Sequence, residues 1–178
     1  MRLFGKKRSR LQDIRIMNEL FPASDAAAAV DGIEKAGAEY LVIAALDLTD
    51  DGSARRAFER IGADPDGFAP AVRAQHAEAL RSIGMRPVDD RELDRYIPTP
   101  SEEPRFPCGA PSAHELFRNV VENVREEGSQ LYGAYIVLAA AETEFGTTAR
   151  ALRHMGIDRS ELAAAARAEI QAVNERNH

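Results

Sequence analysis

The 178-residue chain contains no tryptophan, one cysteine and few aromatic residues, four Tyr and seven Phe. A single cysteine, Cys108, cannot form an internal disulfide, which excludes a disulfide-stapled secreted scaffold. Apolar runs such as residues 41–46 are too short to cross a bilayer, and the basic N-terminus is not followed by the apolar segment of a signal peptide. We therefore expect a cytoplasmic protein with no membrane partner, and we interpret Cys108 as an incidental free thiol.

The sequence also lacks motifs of nucleotide, metal and catalytic chemistry. No G-x-x-x-x-G-K-[ST] string occurs, which excludes a P-loop ATPase within this chain. No two histidines have the i, i+4 spacing of a zinc site, and the calcium-loop-like start at Asp47 has Phe58 where a bidentate glutamate is required. Glu142 and Glu144 are interpreted as a solvated loop and not as an acid–base pair. We expect no enzyme, no cofactor and no metal.

The charge is negative overall but unevenly distributed. A net charge of −6, from 23 basic and 29 acidic residues, argues against a dedicated nucleic-acid binder. Residues 2–15 hold six basic residues and one acid, a net charge of +5 that leaves −11 for the rest. Nucleic acid, an anionic membrane surface and an acidic partner would each fit such a segment. Because aromatic residues are not interleaved with the basic ones, we interpret residues 1–15 as a solvated basic N-terminal extension.

Alanine is abundant, and the chain repeats itself. Many alanines and few aromatics favour closely packed helices. Six of the nine prolines lie within residues 84–111, which we interpret as a linker between two alanine-rich halves. Across this linker, YLVIAAL at residues 40–46 matches YIVLAAA at residues 135–141, and SARRAFERIGAD at residues 53–64 matches TTARALRHMGID at residues 147–158. The sequence predicts an all-α protein built by duplication.

Local signals predict the ends of the helices. Side-chain oxygens that can accept helix N–H groups are expected at five N-caps: Ser53, Asp64, Ser112, Thr147 and Asp158. Left-handed glycines are expected to end the third helix of each half, at Gly62 and Gly156. The central segments, residues 40–46 and 135–141, are apolar all round and should be buried. Residues 11–20 are expected to form a separate helix, because Phe21-Pro22 follows them.

The repeated pattern consists of a short apolar helix, a glycine turn, an Ala-Arg-x-x-(Phe/Leu)-x-x-(Ile/Met)-Gly-x-Asp helix and a capped fourth helix. This pattern resembles the Clp N-terminal domain, the tandem-repeat module of Clp-family AAA+ unfoldases, most clearly over residues 39–74 and 112–170. The resemblance implies two pseudo-twofold-related four-helix repeats, residues 16–83 and 112–174, which the linker at residues 84–111 joins into one domain over residues 16–174. Without a P-loop, it implies a stand-alone Clp-N-like protein that lacks the ATPase.

The resemblance further implies a binding function: an adaptor, regulator or decoy in the Clp chaperone and protease system. The implied partners are substrate proteins, phosphoarginine-bearing or cyclic peptides, and Clp ATPase or protease components. The family's central helix opens Gly-Thr-Glu-His, and in some members its glutamate receives phosphoarginine. Here Gly-Ala-Glu-Tyr keeps that acid as Glu39, whereas the second copy, Gly-Ala-Tyr, lacks it. The implied peptide-binding residues are Glu39, Tyr40, Phe21 and Phe106, the two phenylalanines as apolar anchors.

Other interpretations of these residues stay open. The helix dipole alone stabilises a carboxylate such as Glu39 in a first turn, and core packing equally explains Phe21 and Phe106. The alternative function belongs to another class: a nucleic-acid-associated regulator that uses the basic N-terminal tail while the helical body dimerises.

Overall fold

A computed structural model describes residues 3–48, 51–84 and 109–176, with side chains from Arg10 onward. Within these ranges the chain forms eight α-helices and one 3-10 turn and contains no strand, so the prediction of an all-α protein is confirmed. Phe106 and Cys108, together with most of the proposed linker, lie outside the described residues.

The helices fall into two groups of four along the chain. The first half comprises α1 (Leu3–Val30), α2 (Ala38–Leu46), α3 (Ser53–Arg60), the 3-10 turn (Pro65–Gly67) and α4 (Phe68–Ser82). The second half comprises α5 (Pro111–Glu127), α6 (Gly133–Glu142), α7 (Gly146–His154) and α8 (Arg159–Arg176).

The first helix differs from the prediction. It runs without interruption through Pro22, so residues 11–20 do not form a separate helix, and the basic segment is helical from its third residue. A proline inside a helix removes one backbone hydrogen bond and costs about 3 kcal/mol. Pro22 lies on the exposed side of α1, whereas Ile16 and Leu20 are buried in the core. Burial of this opposite face accounts for the continuous helix.

The two apolar helices α2 and α6 form the centre of the molecule, as predicted. Eight of the nine residues of α2 are buried, as is every residue of α6 except Glu142. These two helices pack against each other, with α1 on α2 and α5 on α6. Other contacts cross between the halves, because α3 packs on α8 and α4 packs on α7, while α8 also packs on α6 of its own half. Each half therefore supplies part of the other's core.

The caps of the fourth helices are as predicted. Asp64 Oδ1 accepts the N–H of Asp66 at 3.0 Å before the 3-10 turn that leads into α4. Asp158 Oδ1 accepts the N–H groups of Ser160 and Glu161 at 2.7 and 3.1 Å at the start of α8. The predicted glycine ends of α3 and α7 are also confirmed, both with φ of 71°.

Three of the predicted N-caps are wrong: Ser53, Ser112 and Thr147. Each lies inside its helix, at the first or second residue, instead of at the preceding N-cap position. The two serines use their oxygens on the other half of the chain: Ser112 Oγ accepts the N–H of Ala38 at 3.3 Å, and Ser53 Oγ accepts the N–H of Ala134 at 2.9 Å. Side chains of each half thus cap the central helix of the other.

Candidate functional site

The start of α2 places a carboxylate in an enclosed position. Gly37 is the N-cap residue, and Glu39 lies in the first turn with only 8% of its surface exposed. The carboxylate folds back over the glycine, since a Cβ at Gly37 would lie 2.6 Å from Glu39 Oε1. A side chain at position 37 would therefore displace the Glu39 carboxylate from this place. A negative charge at this end of a helix is stabilised by the unpaired amides and the helix dipole.

An imidazole from α4 faces this carboxylate. His76 Nε2 lies 3.6 Å from Glu39 Oε1, so the two form an ion pair whenever the imidazole is protonated. The His76 ring also lies 6.1 Å from the Tyr40 ring, and its side chain is 26% exposed. The opening to solvent beside Glu39 is thus bordered by a group that can carry positive charge.

A second carboxylate anchors the neighbouring tyrosine. Asp31, in the turn after α1, accepts a hydrogen bond from the Tyr40 hydroxyl at 3.2 Å and another from Arg73 Nε at 2.7 Å. Burial and the negative charge of Asp31 raise the pKa of Tyr40 above its ordinary value of 10.0, so the phenol stays neutral. Asp31 therefore ties α1, α2 and α4 together on one side of Glu39.

The beginning of α5 closes another side. Besides the bond from Ala38 to Ser112, the N–H of Ala110 donates to the carbonyl of Ala36 at 2.9 Å. The backbone just before Glu39 is thereby held to the second half of the chain. We call this set of residues the α2-start cluster; its members are Asp31, Glu39, Tyr40, Arg73, His76 and Ser112.

The corresponding position at α6 is filled by the protein itself. Asp51 Oδ2 accepts the N–H of Gly133, Ser53 Oγ accepts the N–H of Ala134, and the Ser53 hydroxyl donates to Asp51 at 2.7 Å. A Cβ at Gly133 would lie 2.9 Å from Asp51 Oδ2, so this junction leaves no space. The Asp51 carboxylate thus caps the start of α6.

The structure brings together some of the sequence-predicted residues. Glu39 and Tyr40 share the α2-start cluster. Phe21 does not join them, because it packs edge-to-face on Phe117 of α5, with 5.0 Å between ring centroids. Phe106 lies outside the described residues.

Four members of the α2-start cluster are not predicted by the sequence: Asp31, Arg73, His76 and Ser112. Arg73 and His76 stand one helical turn apart on α4, and this spacing is the signal that points to them. Nothing local in the sequence brings Asp31 or Ser112 to α2, since both arrive through tertiary packing.

No protein-family model matches this chain, and a comparison with curated proteins finds no match either. The α2-start cluster must therefore be interpreted from its own chemistry. It offers one enclosed carboxylate, Glu39, beside the positively chargeable His76 and the cation Arg73, which already pairs with Asp31. Such a set suits a ligand that carries a positive group together with a negative one.

A concave feature of the described surface lies away from this cluster. It measures about 160 Å³ and lies between the glycine turns that follow α3 and α7. Its walls are formed by Ile61, Gly62, Ala63, Met155, Gly156, Ile157, Asp158 and Glu161. No member of the α2-start cluster borders it.

Proposed function

We propose that this chain is a non-enzymatic protein of the Clp N-domain type that binds exposed segments of substrate proteins or peptides. It would act as an adaptor, regulator or decoy in a Clp chaperone and protease system. The observation that carries the proposal is Glu39, a side chain only 10% exposed at the start of the central helix, with His76 3.6 Å away. A buried carboxylate is costly unless partners or a ligand compensate it.

The exchange of contacts between the halves supports a duplicated architecture. α3 packs on α8 while α4 packs on α7, and each half donates a serine oxygen to the central helix of the other. Two related four-helix units that clasp each other produce such reciprocal pairs. We therefore propose the pseudo-twofold arrangement that the Clp-N resemblance implies.

The difference between the two central helices supports a single binding site. Asp51 and Ser53 fill the start of α6, whereas Glu39 at the start of α2 retains an exposed edge. A phosphoarginine side chain matches this edge chemically: its guanidinium suits Glu39, and its phosphate suits the adjacent His76 and Arg73. An unmodified arginine satisfies only the first of these requirements.

Calorimetry with a phosphoarginine peptide, the matched arginine peptide, an unfolded model substrate and a Clp ATPase tests the proposal. We expect saturable binding to at least one of them. Glu39→Gln should weaken binding of the phosphoarginine peptide about tenfold or more, because a charge-assisted hydrogen bond contributes roughly 2 kcal/mol. The Glu39→Gln variant should remain folded and lose at most about 1 kcal/mol of stability, the contribution of a charge at a helix start.

Glu161→Gln is the matched control, because Glu161 also lies in the first turn of a helix but is exposed. It should bind like the unmodified protein. Absence of binding to all four probes contradicts the proposed function. Equal binding by the Glu39→Gln variant keeps a binding function but removes Glu39 from the site.

A further inference from the structure

The exposed side of the first helix carries an apolar pair among basic residues. Leu11 is 69% exposed and Ile14 is 49% exposed, although both are large aliphatic side chains. They stand three residues apart, so they lie about 60° from each other around the helix axis. Single exposed apolar residues are ordinary on a protein surface, but a neighbouring pair on one helix face is a patch.

The opposite side of the same helix fixes the direction of this patch. Ile16 and Leu20 are buried in the core and hold α1 against the molecule. At 100° per residue, Leu11 lies about 140° around the axis from Ile16, so it cannot turn inward while Ile16 stays packed. Leu11 and Ile14 therefore face solvent because of the fold, with no local rearrangement that would cover them.

Basic residues flank the pair in the sequence. Arg10 and Arg15 are exposed on either side of it, and the preceding residues include Arg2, Lys6, Lys7 and Arg8. The segment of residues 2–15 has a net charge of +5, while the rest of the chain has −11. The excess of positive charge in this sequence thus lies in residues 2–15, which enter the first half of α1.

We propose that the first half of α1 docks on an anionic phospholipid surface, with Leu11 and Ile14 inserted at the level of the headgroups and the basic residues held over the phosphates. Helices that lie in a membrane interface combine an apolar side with flanking Lys and Arg in this way. The inference goes beyond the proposed function and does not depend on it. It replaces the expectation of no membrane partner, which rested on the lack of a segment able to cross a bilayer.

Peripheral docking agrees with the rest of the fold. None of the described helices is long and apolar enough to pass through a membrane. Duplex DNA is the competing anionic surface, but contacts to its phosphates come from charged and polar groups and would not use Leu11 or Ile14. The exposure of Leu11 and Ile14 favours a lipid surface over DNA, because an aliphatic side chain contributes to binding only where it is removed from water.

Cosedimentation with vesicles tests this inference on the full chain. Vesicles of phosphatidylcholine with about 30% phosphatidylserine should bind the protein at low salt, and vesicles of phosphatidylcholine alone should not. The double variant Leu11→Gln, Ile14→Gln should bind the anionic vesicles with an affinity lower by about tenfold or more. It removes both apolar side chains while keeping helix propensity. The double variant Lys6→Gln, Arg10→Gln should lose about fivefold in affinity for the anionic vesicles for each charge removed.

Val30 provides the matched control, because it is 69% exposed on the same helix but lies beyond the basic segment. Val30→Gln should bind vesicles like the unmodified protein. The chain has no tryptophan, so a single introduced one is an unambiguous reporter. Leu11→Trp should shift its emission to shorter wavelength with anionic vesicles, whereas Val30→Trp should not.

Three results would overturn the inference. The first is no binding to anionic vesicles at low salt. The second is equal binding by the Leu11→Gln, Ile14→Gln variant, which would show adsorption by charge without insertion. The third is tighter binding to duplex DNA than to the vesicles, with DNA displacing the protein from them, which would identify nucleic acid as the partner.

Discussion

Glu169 joins the two halves of the molecule through its carboxylate. It lies on α8 with 5% of its side chain exposed, and it accepts hydrogen bonds from Arg56 Nε at 2.8 Å and Arg60 Nε at 2.7 Å, both on α3. Burial tends to raise the pKa of Glu169, but the bonds and charges of the two arginines outweigh it, so the pKa lies below its ordinary value of 4.5. The charged form of Glu169 therefore stabilises the folded state.

A depressed pKa gives this stabilisation a defined pH dependence. The contribution of Glu169 is complete above its unfolded-state pKa and is lost as the pH falls through the lower pKa of the folded state. Glu169→Gln should reduce the free energy of unfolding at pH 7 by about 2 kcal/mol, a value limited by the solvent exposure of both arginines. The difference from the unmodified protein should shrink below about pH 4.

Urea unfolding, monitored by far-UV circular dichroism at pH 7 and pH 3, measures the loss of unfolding free energy in Glu169→Gln and its change with pH. Glu175→Gln, an exposed glutamate on the same helix, is the control and should change little at either pH. A loss of the same size at both pH values would show that packing, and not the charge of Glu169, links α8 to α3.

Single polar residues also mark where prediction from the sequence stops. Asp64 and Asp158 cap the helices that directly follow them, so their role could be deduced from local spacing. Ser53 and Ser112 have the same local signal but bond to the backbone of the other half. A serine oxygen close to a helix start offers the same chemistry in both cases, and only the packed fold decides which N–H it meets.

At the scale of elements, α1 shows how packing overrides a local rule. The sequence correctly predicts α2 and α6 as central, because helices that are apolar all round must be buried. It wrongly predicts a break in α1 at Pro22. The free-energy cost of a proline inside a helix is finite, and burial of the helix's other side can outweigh it. Leu20, fully buried, and Ala28, 1% exposed, lie on either side of Pro22 in the same helix and pack inward. Their burial contributes more than the lost hydrogen bond costs.

Replacing Pro22 should restore the free energy that this proline costs α1. Pro22→Ala returns an N–H to the interior of α1, where the carbonyl of Asn18 is the acceptor at i−4. We expect the free energy of unfolding to rise by about 1 to 3 kcal/mol, with a matching rise in the urea midpoint.

Pro70→Ala is the control for this substitution, because Pro70 is also exposed but lies in the first turn of α4, where a missing N–H costs little. It should change stability by well under 1 kcal/mol. If Pro22→Ala instead destabilised the protein, the proline ring itself would contribute a contact that the exposed position does not reveal.

At the scale of the whole molecule, each half contributes residues to a core that both halves share. The main apolar core contains residues of both halves, and α2 packs directly on α6 at its centre. The division into two halves of four helices was predictable from the matching segments on either side of residues 84–111. The exchange of partners, α3 with α8 and α4 with α7, was not, because periodicity shows which face of a helix is apolar but not which helix covers it.

This interlocking predicts that the described helices unfold as one cooperative unit. Leu138 lies in α6 with 2% exposure, and Leu138→Ala should cost about 3 kcal/mol by leaving a cavity. Native-state hydrogen exchange should then show the same loss of protection for the most protected amides of α3, in the first half, as for those of α8, in the second. Ile83→Ala, at a position 69% exposed, should leave both unchanged. Loss of protection confined to the second half would mean that each four-helix unit is stable by itself, in which case the contacts of α3 with α8 and of α4 with α7 join two prefolded units.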